Sequence, residues 1–310
     1  MQEIQVTNAK ALMENFKIPV ASLKSKVFSK NNIGVSMLRL DTIHPIVSGN
    51  KIFKLHYFLE EAKKSTHRKI ITFGGAYSNH LAATAYACEH SGLTCIGIVR
   101  GEEPKKLSHT LQFCLKNNMH LQFIARSFYK KINEEEFLHV LTNECGPHTL
   151  VPEGGCSLKG VDGAKLISNY FNSKKFSHVC CPIGTATTFA GLINGTHKET
   201  KIIGFNILKN MLDTEERLAG LGVSHANKYT VINDYHFGGY AKRTPELIAF
   251  MNTFYQHYAI PLDFVYTGKM MCGLYDLINK NYFPGGSNIL CIHTGGLQGN
   301  DSLPERLLSF

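Results

Sequence analysis

The sequence predicts an α/β protein of two domains, each an open, mainly parallel sheet flanked by helices. Short apolar runs rich in β-branched residues alternate with helical patterns almost from end to end, which is typical of parallel sheets covered by helices. Most of these runs are continuously apolar, as in strands that are buried on both faces. With 310 residues and 44% hydrophobic content, the chain exceeds the roughly 100–200 residues of one average domain.

Seven segments are predicted to be strands because each is a short apolar run bounded by polar or turn-forming residues. They are Val35–Leu40, Lys69–Phe73, Thr94–Val99, His120–Ile124, His178–Cys181, Lys201–Ile207 and Asn288–Ile292. A helix is predicted over Lys51–Lys64, where apolar residues recur at spacings of three and four. Similar spacing predicts helices over Asn79–His90, Leu107–Lys116, Glu135–Leu141, Leu158–Tyr170, Thr188–Gly195, Leu212–Leu221, Pro245–His257 and Lys269–Asn279.

Composition excludes several classes of function. The net charge is +9, but the basic residues are spread along the chain, which favours small anionic ligands and predicts no nucleic-acid partner. No apolar run reaches the roughly 18 residues of a membrane helix, and the polar segment Met1–Lys10 does not resemble a signal peptide, so we expect a cytoplasmic protein. The nine cysteines show no paired CxxC spacing, which predicts reduced thiols and no metal site.

Ligands of α/β proteins bind where strands turn into helices, and the first such place is Val47–Lys54. A Ser-Gly-Asn turn there starts a helix with Lys51 at its first position. The positive end of the helix dipole disfavours the ammonium form, which would help to make Lys51 a nucleophilic amine. A solvated lysine in an ordinary capping turn is the alternative.

The second place is the strand end at Gly74 and Gly75, followed by Tyr77, Ser78 and Asn79. Paired glycines let backbone amides approach an anion closely, and either Ser78 or Asn79 can cap the next helix. Helix capping alone is the competing interpretation. The segment is not the Gly-x-Ser-x-Gly elbow of a serine hydrolase.

The third place is Gly184–Thr188, a small hydroxyl-rich turn between a strand and a helix. Successive amides and the hydroxyls of Thr185, Thr187 and Thr188 suit a phosphate monoester. The turn lacks the Gly-Lys-Ser/Thr of a nucleotide P-loop, which disfavours triphosphate chemistry. An ordinary capped helix is again the alternative.

Two further glycine-rich turns present Tyr240, Tyr266 and Thr267, residues that predict no function by themselves. Taken together and in order, however, the motifs resemble the tryptophan-synthase β-like pyridoxal-phosphate enzymes. The resemblance is to the branch that contains 1-aminocyclopropane-1-carboxylate deaminase and D-cysteine desulfhydrase, and it covers nearly the whole chain. The matching motifs are Ser48–Lys51, Ser78–His80, Pro152–Gly155, Gly184–Thr188, Gly239–Tyr240, Tyr266–Lys269 and His293–Gly296.

This resemblance implies that the cofactor is pyridoxal 5'-phosphate, held as an imine by Lys51. It implies that Asn79 hydrogen-bonds the ring hydroxyl and that Thr267 meets the pyridine nitrogen. The residues that would hold the cofactor phosphate are Lys54, Gly184, Thr185, Ala186, Thr187 and Thr188.

On the substrate side the resemblance implies three residues, Ser78, Tyr240 and Tyr266, with Ser78 acting on the carboxylate or in proton transfer. The implied reaction deaminates a small amino acid: Lys51 removes a proton, a β substituent departs, and the resulting enamine is hydrolysed by water to a 2-oxo acid and ammonia. The resemblance also implies a smaller domain over residues 46–160, a larger domain formed by 1–45 and 161–310, and a homodimer.

Three positions depart from the family pattern. Tyr77 replaces a glutamine, Phe53 replaces a basic residue, and Thr267 stands where the cyclopropane-opening deaminases have a glutamate. A neutral threonine cannot hold the ring nitrogen protonated as a carboxylate can, so we expect elimination from D-cysteine rather than ring opening of 1-aminocyclopropane-1-carboxylate.

Two alternatives of other classes stay open at this stage. Because Tyr77 changes the substrate side, the chain could be a non-catalytic relative that binds the cofactor or a phosphorylated metabolite. It could also be a phosphate-binding α/β protein in which Lys51 is incidental.

Overall fold

The structure is a computed structural model that describes residues 17–44, 49–224 and 228–310. Within these ranges the strands are β1 (Val20–Leu23), β2 (Gly34–Arg39), β3 (Lys69–Gly74), β4 (Thr94–Arg100), β5 (Met119–Ile124), β6 (Thr149–Val151), β7 (His178–Ile183), β8 (Lys201–Asn206), β9 (Tyr229–Ile232) and β10 (Asn288–His293). The α-helices of the same ranges are α1 (Lys26–Lys30), α2 (Lys51–Lys64), α3 (Asn79–Glu89), α4 (His109–Lys116), α5 (Arg126–Tyr129), α6 (Glu135–Cys145), α7 (Leu158–Lys165), α8 (Thr187–Gly195), α9 (Thr214–Gly220), α10 (Pro245–Tyr258) and α11 (Thr267–Asn279).

The strands form two sheets. The larger has the order β1-β2-β10-β7-β8-β9, in which β1 is antiparallel to β2 and the other neighbours are parallel. The smaller has the order β5-β4-β3-β6 and is parallel throughout. The predicted α/β class with mainly parallel sheets flanked by helices is therefore confirmed.

The smaller sheet is built from residues between 69 and 151, which lie inside the range 46–160 predicted for the smaller domain. Residues 46–48 of that range lie outside the described residues. The domain boundaries themselves stay a prediction.

All seven predicted strands occur, but β1, β6 and β9 were not predicted. Each has three or four residues and lies at an edge of its sheet. Edge strands are often short and partly polar, so they lack the apolar run that identifies a central strand. The helix predicted over Leu158–Tyr170 is divided into α7 and a 3₁₀ segment over Leu166–Tyr170.

Helices α2, α7 and α8 pack closely against one another because glycines lie at their contacts. A Cβ atom on Gly163 of α7 would overlap the carbonyl oxygen of Phe53 in α2, and one on Gly191 of α8 would lie 2.6 Å from the Cβ of Ala164. The Phe53 ring is fully buried, with its centroid 5.5 Å from that of Tyr170. This packing brings the N-termini of α2 and α8 together.

Across the described ranges, no helix combines the length and the apolar character needed to cross a membrane.

Candidate active site

Four chain segments meet at the carboxyl ends of strands from both sheets. Residues 75–79 follow β3, 152–155 follow β6, 184–188 follow β7, and 294–296 follow β10. Because parallel strands end at one edge of a sheet, their connecting loops converge there. The N-terminus of α2 contacts several of these segments.

Lys51 is the first residue of α2, and the turn before it is held against the end of β10. The N–H of Asn50 donates to the carbonyl oxygen of Thr294 at 3.1 Å. Gly49 has a φ of +85°, and a Cβ atom there would overlap the same carbonyl oxygen. Only glycine combines this conformation with so close an approach. Ser48, also predicted in this turn, lies outside the described residues.

The Lys51 amine lies in a setting that favours its neutral form. Its Nζ donates to Oδ1 of Asn50 at 2.7 Å and lies 5.8 Å from the ring centroid of Tyr266. Burial lowers the pKa of Lys51 to about 8, although the Asp263 carboxylate opposes this shift. Such an amine is a better nucleophile near neutral pH than a solvated lysine.

Lys54 lies one turn further along α2 and is also buried. Its Nζ donates to the carbonyl oxygen of Gly154 at 2.9 Å and to Oγ1 of Thr185 at 3.4 Å. Burial, together with the charge of Lys51, lowers the pKa of Lys54 to about 7. An anion beside Lys54 would therefore stabilise its charged form.

The predicted loop Gly184–Thr188 surrounds the N-terminus of α8, next to Lys54. Ala186 precedes that helix with a φ of +62°, and the hydroxyl oxygens of Thr185 and Thr187 are 3.0 Å apart. Thr188 Oγ1 accepts a hydrogen bond of 2.8 Å from Nδ2 of Asn50. A Cβ atom on Gly184 would lie 3.1 Å from the Tyr266 ring, so a side chain there would crowd the site.

These groups fit a phosphate monoester. The first amides of an α-helix have no intrahelical acceptor and attract an oxyanion. Lys54 adds a positive charge, and the threonine hydroxyls add further donors. Gly154 lies against Thr185, and a Cβ atom on Gly154 would be 3.0 Å from that side chain. Gly155 lies against Lys54, and a Cβ atom there would be 3.2 Å from the lysine side chain.

Asn79 is the first residue of α3 and has a buried side-chain oxygen, Oδ1, with no hydrogen-bond partner among the described residues. Its Nδ2 lies against Gly296, where a Cβ atom would be only 2.6 Å away. Buried polar atoms in native proteins are almost always paired, so Oδ1 is a candidate to accept from a ligand hydroxyl.

Ser78 caps α3. Its Oγ accepts from the N–H of Leu81 at 3.2 Å, and its backbone is extended as in other N-cap residues. The capping interpretation is therefore realised, but capping uses only the oxygen. The hydroxyl proton of Ser78 is left for another acceptor.

Tyr266 and Tyr240 meet edge to face, with ring centroids 6.3 Å apart. Burial raises the pKa of Tyr266 well above its usual value, so its phenol is neutral. The Asp263 carboxylate accepts from the N–H groups of Tyr266 at 2.7 Å and of Thr267 at 2.9 Å, which orients the start of α11. Tyr240 is 49% exposed and lies at the outer side of this pair.

Thr267 is fully buried, and its hydroxyl oxygen lies 3.4 Å from that of Thr294. Both threonines are uncharged. The nearest carboxylate along the chain, Asp263, is already bound to backbone amides.

The other two departures from the family pattern lie in different surroundings. Tyr77 is 53% exposed, and its ring centroid is 5.8 Å from that of His109. Phe53 instead points into the apolar core. A change at position 77 therefore alters the rim of the site, whereas the Phe53 side chain packs away from the amines on α2.

Three further residues shape the site, although the sequence motifs assigned them no contact with cofactor or substrate. Asp263 orients Tyr266, and Asn50 joins Lys51 to Thr188. His80 is buried with its Nε2 2.8 Å from Oγ1 of Thr72, and burial, together with Lys51, lowers its pKa to about 3. An aspartate shortly before a helix is a recognisable capping signal, whereas the partners of Asn50 and His80 lie in other segments.

No cluster of metal-ligating side chains occurs in the part of the chain that the structure describes.

Comparison with known proteins gives a consistent result. The family model for pyridoxal-phosphate dependent enzymes matches residues 19–295. A putative 1-aminocyclopropane-1-carboxylate deaminase of Pyrococcus furiosus is 31% identical over 281 residues, which are 85% of each chain. A bifunctional D-cysteine desulfhydrase/1-aminocyclopropane-1-carboxylate deaminase of Arabidopsis thaliana is 29% identical, with 82% of this chain and 70% of that protein covered.

Among solved structures, a homologue of 1-aminocyclopropane-1-carboxylate deaminase superposes with a TM-score of 0.77 at 27% identity, covering 97% of each chain. The family match over residues 19–295 includes every strand of both sheets. The chain therefore belongs to the family of pyridoxal-phosphate-dependent enzymes and, within it, to the group of 1-aminocyclopropane-1-carboxylate deaminase and D-cysteine desulfhydrase.

Proposed function

We propose that this pyridoxal-phosphate-dependent enzyme acts as a D-cysteine desulfhydrase, converting D-cysteine and water to pyruvate, ammonia and sulfide. The observation that carries the choice of substrate is Thr267, a fully buried neutral residue where the ring-opening deaminases have a glutamate. Because a hydroxyl does not hold the ring nitrogen protonated, the ring withdraws fewer electrons. Expulsion of a good leaving group such as sulfide needs less electron withdrawal than cleavage of a cyclopropane bond.

The proposed cofactor contacts follow the geometry of the site. Lys54 and the loop Gly184–Thr188 would hold the phosphate, supported by the ammonium group, the free amides and the threonine hydroxyls. Asn79 would accept from the ring hydroxyl, supported by its unpartnered Oδ1. Thr267 would face the ring nitrogen.

When bound, pyridoxal phosphate supplies an aldehyde that condenses with amines and a ring that delocalises negative charge from the Cα of the substrate. Lys51 would hold the aldehyde at rest and, once released, take the proton from the substrate Cα. Its lowered pKa of about 8 supports this role, since a base must be neutral to accept a proton. Asn50 orients the amine through the 2.7 Å hydrogen bond.

On the substrate side we assign Ser78, Tyr240 and Tyr266. The hydroxyl proton of Ser78 and the first amides of α3 would bind the substrate carboxylate. The neutral phenol of Tyr266 would donate a hydrogen bond near the leaving group. This role is supported by its position, since the Tyr266 ring centroid is 5.8 Å from Lys51 Nζ. Tyr240 would close the outer side.

Deamination of 1-aminocyclopropane-1-carboxylate to 2-oxobutanoate and ammonia is the second candidate. It is favoured by the names of similar proteins, such as those of Pyrococcus furiosus and Arabidopsis thaliana. A relative that binds the cofactor without turnover is a further alternative, motivated by exposed Tyr77 at the rim.

The test is a comparison of three substrates with the cofactor-loaded protein. We expect pyruvate and sulfide from D-cysteine at a rate well above that of pyruvate from D-serine, and little 2-oxobutanoate from the cyclopropane substrate. Efficient ring opening would reject the substrate assignment. Unchanged absorbance with every amino acid would favour the non-catalytic alternative.

Borohydride reduction followed by peptide mapping tests the site itself. We expect the pyridoxyl label on Lys51, and no label in Lys51→Ala. Turnover in Lys51→Ala should fall by more than the roughly 10²–10⁴-fold typical of one acid–base group, because the lysine has two roles. A label on Lys54 or Lys269 would relocate the active site.

We further propose that the protein is a cytoplasmic homodimer. Sedimentation velocity of the cofactor-loaded protein tests the dimer, since a species near the monomer mass of 34.6 kDa would contradict it.

A further inference from the structure

We propose that Lys269 is a positioning residue that holds the Tyr240 loop, defined as residues 236–242, against Tyr266. The inference rests on the proposed function in one respect, the assignment of Tyr240 to the substrate side.

The geometric basis is a pair of hydrogen bonds from one buried amine. Lys269 Nζ donates to the carbonyl oxygen of His236 at 2.9 Å and to that of Gly239 at 2.6 Å. Both acceptors belong to the Tyr240 loop, and Gly239 directly precedes Tyr240. Lys269 itself lies in the first turn of α11, three residues after Tyr266. One side chain thus joins the segments that carry the two tyrosines.

A buried position at a helix N-terminus is unfavourable for a lysine unless its amine has compensating contacts. The residue is 0% exposed and lies at the helix end where the dipole disfavours a cation. Burial lowers the pKa of Lys269 to about 8, and the Asp263 carboxylate opposes the shift. A buried ammonium is costly without hydrogen bonds and a compensating charge.

The Tyr240 loop has a backbone that needs an external anchor. Four of its residues have positive φ, namely Phe237 at 49°, Gly238 at 90°, Gly239 at 106° and Ala241 at 53°. Non-glycine residues in that region are strained, and such conformations persist only where surrounding contacts hold them. The two hydrogen bonds from Lys269 lie within this loop, where they can hold its strained backbone.

Asp263 completes the arrangement from the other side. Its carboxylate binds the Tyr266 amide, while Lys269 binds the carbonyl next to Tyr240. These hydrogen bonds hold the backbone beside each tyrosine, and the two rings meet edge to face with centroids 6.3 Å apart. Loss of the ammonium should free Tyr240 and leave Tyr266 and the cofactor contacts in place.

The chain has no tryptophan, so Tyr240→Trp introduces a single fluorescent reporter into the loop. We expect Lys269→Met to lower the anisotropy of this tryptophan and to raise its acrylamide quenching constant by about twofold or more in the cofactor-loaded protein, as for a loop released from its contacts. Lys280→Met is the matched control, because Lys280 lies directly after the same helix but its side chain is 66% exposed. It should leave both signals unchanged.

A second measurement separates this role from a general loss of stability. With Tyr240 present, Lys269→Met should lower kcat/KM by about tenfold or more, with the cofactor absorbance retained. In a Tyr240→Phe or Tyr240→Ala background the same change should cost much less, since coupled residues are not additive. Fully additive losses would reject the role.

If Lys269→Met does not fold, Lys269→Gln keeps an uncharged NH2 group as donor and should give intermediate quenching. The reporter can be compared in three proteins, namely with Lys269 intact, with Lys269→Met and with Lys269→Gln. Equal anisotropy and equal quenching in all three would overturn the proposal, whatever their activity. If the reporter responds but no substrate is turned over, the positioning role stands and the proposed function fails.

Discussion

The side-chain amide of Asn50 donates to the hydroxyl oxygen of Thr188 at 2.8 Å and accepts from Lys51 Nζ at 2.7 Å. One carboxamide therefore joins the amine on α2 to the N-terminus of α8. The carboxamide of Asn50 therefore links the two ends of the proposed cofactor site, the phosphate contacts and the reactive amine.

Gly49 should be far less tolerant of substitution than a glycine of the same conformation elsewhere. Gly286 has the same φ of +85° but nothing within 4 Å of its Cβ position, whereas a Cβ on Gly49 would overlap the Thr294 carbonyl oxygen. Gly286→Ala should cost about 1–2 kcal/mol of unfolding free energy from the left-handed backbone alone.

We expect Gly49→Ala to cost clearly more than Gly286→Ala in urea unfolding and also to weaken cofactor binding. The additional loss of unfolding free energy in Gly49→Ala measures the clash with the residue that follows β10. Equal costs for the two substitutions would contradict the close approach on which the position of Lys51 depends.

Binding of a phosphate monoester should weaken as the pH rises above about 7. The pKa of Lys54 is about 7 in the free protein, and a bound phosphate would raise it, so binding above pH 7 takes up a proton. The affinity then falls with pH by at most about tenfold per pH unit. The phosphate itself stays dianionic there, because its second pKa is about 6.

Pyridoxine 5'-phosphate is a suitable probe, because it cannot condense with Lys51 and so isolates the phosphate contacts. Calorimetry between about pH 7 and about pH 9 should show the fall in affinity. Lys54→Met should bind more weakly and lose much of the dependence on pH. An affinity that is independent of pH in the unmodified protein would reject the assignment of Lys54.

Asn79→Ala should have opposite effects on the free protein and on the complex. In the free protein the substitution removes a buried oxygen without a partner among the described residues, whose burial costs about 1–3 kcal/mol. We therefore expect an unchanged or higher Tm without cofactor, together with weaker binding of pyridoxal phosphate. A fall in Tm with unaltered affinity would show that Asn79 has a structural role only.

Thr267→Glu should shift the reaction away from elimination. A carboxylate at this fully buried position would be stabilised by a protonated ring nitrogen and would strengthen electron withdrawal by the ring. We expect the rate of sulfide release from D-cysteine to fall relative to the rate of its racemisation, with both rates measured on the same sample. Thr267→Gln has a similar size without the charge, so an equal change in Thr267→Gln and Thr267→Glu would attribute the effect to crowding.

Several parts of this protein were predictable from local patterns. The helix predicted over Lys51–Lys64 has those bounds in the structure, because the spacing of its apolar residues is a property of consecutive residues. The central parallel strands were predicted for the same reason. The glycine and hydroxyl motifs together were specific enough to indicate the family and the cofactor, both of which the comparisons confirm.

Other features depend on segments that are distant along the chain. Asn50 and Thr188 are 138 positions apart, and no local pattern predicts their hydrogen bond. The edge strands β1, β6 and β9 are too short to show a period and are stabilised by their neighbours in the sheets. Lys269 lies in the matched motif Tyr266–Lys269, yet nothing local predicts that the folded chain buries it completely and places it against the Tyr240 loop. Burial and partner choice arise only when the sheets and loops come together, because desolvation depends on all the atoms that surround a group.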